Sequence, residues 1–157
     1  MSLFEDNQYQ YRDTYFVFFK QENRPSLDKI ESTLADLGSR YKTLKSSEKD
    51  DEFESLTFIS PYDFSAMDIA VVQGEEVSSQ ISELMDDFKT MTLTGDDSKK
   101  LAKLGDADCR FDIFHFEHIE GGGDDEFLDP GGLLLVMEKL SLLSEGVALD
   151  PQSNSLF

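Results

Sequence analysis

The stretch YFVFF at residues 15–19 is the strongest clue to the fold, because five consecutive large apolar residues are typical of a buried strand. Alternate residues of a strand point to opposite sides, so Tyr15, Val17 and Phe19 share one side and two phenylalanines occupy the other. A strand that is apolar on both sides needs cover on both sides. The sequence therefore predicts an interior strand of a sheet that carries helices.

The segments around this strand alternate between strand and helix patterns. Residues 1–13 are polar, and we expect them to be frayed. Ser26 is the expected N-cap of a first helix, and Gly38 its expected stop. Further elements are predicted as strands around 56–58 and at 67–72, a helix at 75–89, a short helix ending at Leu104, and a strand at 109–119.

The order β-α-β-β-α-β resembles the split βαβ, or ferredoxin-like, arrangement, which makes this an α+β sequence. In that arrangement the first and third strands are central, and strands 15–19 and 67–72 are the ones apolar on both sides. We expect one domain over residues 1–157, with the helices at 26–38 and 75–89 on one face of the sheet.

The chain continues beyond this unit with a helix from Pro130 to about Leu143 and a short strand at 147–149. This helix is apolar around nearly its whole circumference, which is typical of a buried helix. We expect it to cover the remaining face of the sheet and to meet a second subunit with its outer side, giving a homodimer.

The charge of the chain restricts its partners. Fourteen Lys and Arg residues against thirty-three Asp and Glu residues give a net charge of −19, which repels nucleic acid and anionic membranes. The same charge favours a basic protein partner. No apolar run approaches the roughly 20 residues of a membrane span. Cys109 is the single cysteine, so no internal disulfide can form, and a cytoplasmic location is expected.

The sequence His115-Phe116-Glu117-His118 is the most suggestive cluster for chemistry or metal binding. On a strand His115 and His118 point to opposite sides, so this pair predicts no transition-metal site. His115 and Glu117 share a side. Together with Asp112, they are the candidate polar groups of a ligand pocket or catalytic site.

Other motifs give no site. Residues 120–129 form an expected flexible, acidic, glycine-rich loop, whose acids lack the alternating spacing of a calcium-binding loop. Its three glycines precede Asp124, Asp125 and Glu126, which would repel phosphate. Cys109 is expected to be a buried core residue. No cofactor is expected.

Two functional hypotheses follow. The first is a non-enzymatic, acidic protein-interaction or regulatory protein that binds a basic partner, a sharper version being a nucleic-acid mimic. The alternative is a small enzyme or small-molecule binder with a pocket near His115, between the sheet and the C-terminal helix.

Overall fold

The computed structural model describes residues 8–37, 41–60, 65–90, 95–118 and 131–157. Its strands are β1 (Tyr9–Phe19), β2 (Lys42–Lys49), β3 (Glu52–Ser60), β4 (Ser65–Gln73), β5 (Cys109–His118), β6 (Val147–Asp150) and β7 (Ser155–Leu156). Its helices are α1 (Leu27–Ala35), α2 (Glu75–Phe88), α3 (Gly95–Asp106) and α4 (Gly131–Ser144). The expected acidic loop at 120–129 and the helix stop at Gly38 lie outside the described residues.

The strands form one seven-stranded sheet in the order β2-β3-β4-β5-β1-β6-β7, with antiparallel pairing throughout. The α+β class is confirmed, but the ferredoxin-like topology is not, because both the strand order and the size of the sheet differ. In the ferredoxin-like order β1 would lie beside β4, whereas here β5 separates them.

Two sequence expectations fail at the polar segments of the chain. Residues 42–49 were not predicted as a strand, yet they form β2, the edge strand that turns into β3. Nearly every residue of β2 is exposed, so it carries no alternation of apolar and polar residues. The expected frayed segment at 1–13 is wrong for residues 9–13, which extend β1 along β5.

Helices cover the sheet on both faces. The face covered by α1 and α4 is called here the α4 face, and the face covered by α2 and α3 the α2 face. The expectation that the first two helices share a face is therefore wrong. The helix α4 covers the face opposite α2, but it shares that face with α1, so it does not cover a face left open by both helices as expected.

The inner side of α4 contributes four nearly fully buried residues to the core, namely Leu133, Val136, Met137 and Leu140. Each such side chain stabilises the fold by about 1.5–3 kcal/mol through burial. The helix α1 begins as predicted at Ser26, whose hydroxyl accepts a hydrogen bond from the backbone N–H of Lys29. None of the described helices is both long and apolar enough to cross a membrane.

A test of this packing is available where α4 turns into β6. A Cβ atom added at Gly146 would lie 2.3 Å from the backbone oxygen of Phe18, so Gly146→Ala must displace backbone. We expect this variant to lose about 1–3 kcal/mol of unfolding free energy in urea titration. Gly105→Ala is the matched control, because its Cβ would meet only the flexible end of Met85 at 3.5 Å. A Gly146→Ala protein as stable as the control would contradict the packing.

Candidate functional site

The strand β5 carries the predicted site residues, and its regular register with β4 fixes which face each one occupies. Cys109, Phe111 and Ile113 pack in the core on the α4 face. Side chains alternate along a strand, so His115 and Glu117 lie on the same face, as predicted. Asp112 lies on the α2 face, so the three candidates do not converge.

His115 pairs with an aspartate on the neighbouring strand. Its Nδ1 lies 3.1 Å from Oδ1 of Asp13, and the side chain is 7% exposed. A carboxylate only accepts hydrogen bonds, so Nδ1 donates and the neutral ring keeps Nε2 as an acceptor. In this tautomer Nε2 is the ring atom that can accept a hydrogen bond or a proton.

A β-bulge lies next to Asp13, which itself pairs with His115 in the same register as residues 14–19. The register of β1 against β5 shifts between Tyr11 and Asp13, so Arg12 is the extra residue. Arg12 donates a hydrogen bond of 2.6 Å to the buried carboxylate of Glu117. The bulge thus supplies a counter-charge to Glu117, whereas Asp13 reaches His115 through the regular register of β1 against β5.

Tyr15 lies on the same face of β1 as Asp13 and contacts it. Its hydroxyl donates to Oδ2 of Asp13 at 3.3 Å. Burial, followed by the nearby charges of Asp13 and Asp150, raises the pKa of Tyr15 to about 12. The hydroxyl therefore remains protonated at neutral pH and acts as a donor that orients Asp13.

Asp112 serves a different purpose on the α2 face. It forms an ion pair with Arg110, whose Nη2 lies 3.1 Å from Oδ2 of Asp112. Arg110 also stacks over the ring of Phe16 at 4.7 Å and reaches Gln80 and Glu76 of α2. Burial raises the pKa of Asp112 despite the opposing effect of Arg110. This cluster anchors the first turns of α2 to the sheet.

The two remaining candidates are His118, considered as a metal ligand, and Cys109, considered as a nucleophile. His118 lies edge-on to the ring of Tyr9 at 5.1 Å, on the opposite side of β5 from His115. Among the described residues, no group of three or more His, Cys, Asp or Glu side chains is placed to hold a metal ion. Cys109 is fully buried, and burial, followed by the charge of Asp108, raises the pKa of its thiol to about 11. Such a thiol is unreactive at neutral pH.

The outer side of α4 is the second notable feature. Leu134, Leu135 and Leu142 are 46%, 40% and 68% exposed, and Glu138 lies among them. These four residues are called here the leucine face. A groove of about 490 Å³ adjoins its C-terminal end, lined among others by Phe19, Lys103 and Leu142. His115 lies at the other end of β5 and does not line this groove.

Sequence reasoning missed Arg12, Asp13 and Tyr15 as partners of the β5 cluster. One signal was present, because Asp13 and Tyr15 have the same parity as Val17 and would share its face in a longer strand. The bulge that makes Arg12 the extra residue has no comparable signal in the sequence.

Comparison with models of protein families, with curated proteins and with solved structures finds no match to this chain. Geometry and charge are therefore the grounds for any statement about its function.

The pairing of His115 with Asp13 can be tested by ¹⁵N NMR of the two histidine rings. We expect the neutral ring of His115 to be protonated on Nδ1 and unprotonated on Nε2. The variant Asp13→Asn should lose this preference, because an amide can donate as well as accept, whereas His118→Gln should leave the His115 signals unchanged. A wild-type ring protonated on Nε2 would refute the proposed hydrogen bond.

Proposed function

We propose that this chain is a non-enzymatic protein-interaction protein that binds a basic protein partner through the outer side of α2 and associates with itself through α4. The observation that carries the proposal is the composition of the α2 surface. Its exposed residues include five carboxylates, namely Glu75, Glu76, Glu83, Asp86 and Asp87. These five residues are called here the acidic α2 surface.

Little positive charge offsets this surface. Lys89 lies next to it and forms an ion pair with Asp86 at 3.1 Å. The neighbouring helix α3 carries three lysines and three aspartates, so its formal charges balance. Arg110, which reaches Glu76 from below, is buried against Asp112. A negative potential of this kind attracts basic partners and repels nucleic acid.

Surface charge of one sign also raises the rate at which an oppositely charged partner arrives, more than it raises the final affinity. Binding to the acidic α2 surface is therefore expected to weaken as salt is added, because exposed charges are screened within about 10 Å at 0.1 M ionic strength. Arg110, which is buried against Asp112, also hydrogen-bonds Gln80 and Glu76 of α2, so the acidic surface is presented by a helix fixed to the sheet.

A second function is favoured by one observation, the hydrogen bond between His115 and Asp13. The acceptor atom Nε2 and the nearby Glu117 carboxylate could bind or deprotonate a small molecule, which is the enzyme or ligand-binding alternative. Chemical-shift mapping with a library of small polar molecules distinguishes the two. Perturbations that cluster at His115 would favour this alternative over the first proposal.

The basic-partner proposal is tested with a labelled peptide of alternating Lys and Ser residues, whose affinity is measured by fluorescence anisotropy. One variant replaces Glu83, Asp86 and Asp87 by their amides. We expect it to bind about tenfold more weakly than a control of equal net charge, because charges act mainly within a Debye length. The control replaces Asp28, Asp36 and Glu145, which are exposed elsewhere.

Equal losses in the two variants would show that only the overall charge attracts the peptide, and the acidic α2 surface would then have no special role. An unchanged affinity in both variants would contradict the proposal altogether.

A further inference from the structure

The leucine face has a regular geometry on α4. Leu135 and Leu142 are seven residues apart, so they lie nearly on one line along the helix. At 3.6 residues per turn, Glu138 and Lys139 fall about 50° to either side of that line. The centre of the face is therefore apolar, with an acid on one flank and a base on the other. This arrangement is complementary to itself.

We propose that the leucine face binds a second copy of this chain, with the two α4 helices parallel and related by a two-fold axis along their length. This axis places Leu135 against Leu135 and Leu142 against Leu142 of the second copy. It also exchanges the flanks, so Glu138 of each copy faces Lys139 of the other, once on each side of the pair. The inference specifies the self-association in the proposed function and rests on it.

The charges select this orientation. If the two helices were antiparallel, the same flanks would meet, so Glu138 would face Glu138 and Lys139 would face Lys139. Like charges across an interface are unfavourable, whereas the parallel pair has two attractive contacts. In the parallel pair, one partner covers the apolar centre and places an opposite charge against each flank. This is the pattern of a two-fold interface.

The position of α4 in the fold is compatible with this pairing. The helix is fixed to the sheet by its buried inner side, and its exposed residues all lie on the outward side. The acidic α2 surface is on the opposite face of the sheet, so pairing through α4 keeps the two strongly negative surfaces apart. One pair of helix faces is smaller than the roughly 800 Å² per partner of a standard interface, so the affinity is expected to be micromolar.

A charge exchange on the intact chain tests the proposal by analytical ultracentrifugation. Glu138→Lys and Lys139→Glu should each weaken the dimer about tenfold, because each creates two repulsive contacts. The double variant should restore the wild-type dissociation constant. Glu83→Lys is the control. It changes the net charge by the same amount as Glu138→Lys, but Glu83 is an exposed residue of α2. It should leave the dimer intact or strengthen it slightly through reduced repulsion.

A second pair of variants tests the apolar centre. Replacing Leu135 and Leu142 together by Ser should abolish the dimer while circular dichroism stays native, because both side chains are exposed. Leu44→Ser, at an exposed residue of β2, is the control and should have no effect.

Three results would overturn the parallel pairing: a wild-type protein that is monomeric at about 0.5 mM, a double charge variant that stays dissociated, or a dimer that survives loss of both leucines. In each case the peptide affinity of the acidic α2 surface remains a separate measurement, so the basic-partner proposal stands or fails by its own test.

Discussion

The fold depends on β5 being paired along both of its edges, with β1 on one side and β4 on the other. In the sheet, β5 lies between β1 and the β2-β3-β4 meander. In the sequence, this meander comes between β1 and β5. Its side chains also fix the helix layers, since Phe111 and Ile113 lie in the core beneath α1 and α4. On the opposite face Arg110 and Asp112 replace apolar residues. Burying two charges is tolerated there because they neutralise each other, and because Arg110 also hydrogen-bonds Gln80 of α2.

The same strand organises the candidate functional features. Its end carries His115 and Glu117, whose partners on β1 are Asp13 and the bulged residue Arg12. Its centre anchors the helix that displays the acidic α2 surface. The leucine face lies on the other side of the sheet, on a helix fixed by four buried residues. The sheet therefore separates a strongly negative surface from an apolar one, so the basic partner and the second copy proposed above would not compete for one surface.

Local patterns in the sequence predict the elements that bury side chains. The run at residues 15–19, the capped helix at Ser26 and the long strand at 109–119 are visible because burial requires apolar residues in a continuous run or at regular spacing. β2 has no such period, since it is exposed along nearly its whole length. The order of strands is non-local, and nothing in β5 itself states that it enters between β1 and β4. The site is predicted to the same extent: alternation places His115 with Glu117. The pairing of Asp13 with His115 depends on the register between two strands far apart in the sequence, and the position of Arg12 depends on a bulge.

The placement of β5 is tested most directly by NMR, through nuclear Overhauser effects between backbone protons of adjacent strands. Ile113 is paired with Tyr15 on β1 and with Ile69 on β4. Cross-strand contacts from Ile113 to both residues, with none between β1 and β4, are the predicted result. Contacts between β1 and β4, with Ile113 reaching Tyr15 alone, would restore the ferredoxin-like order and contradict the strand arrangement on which the rest of the structure depends.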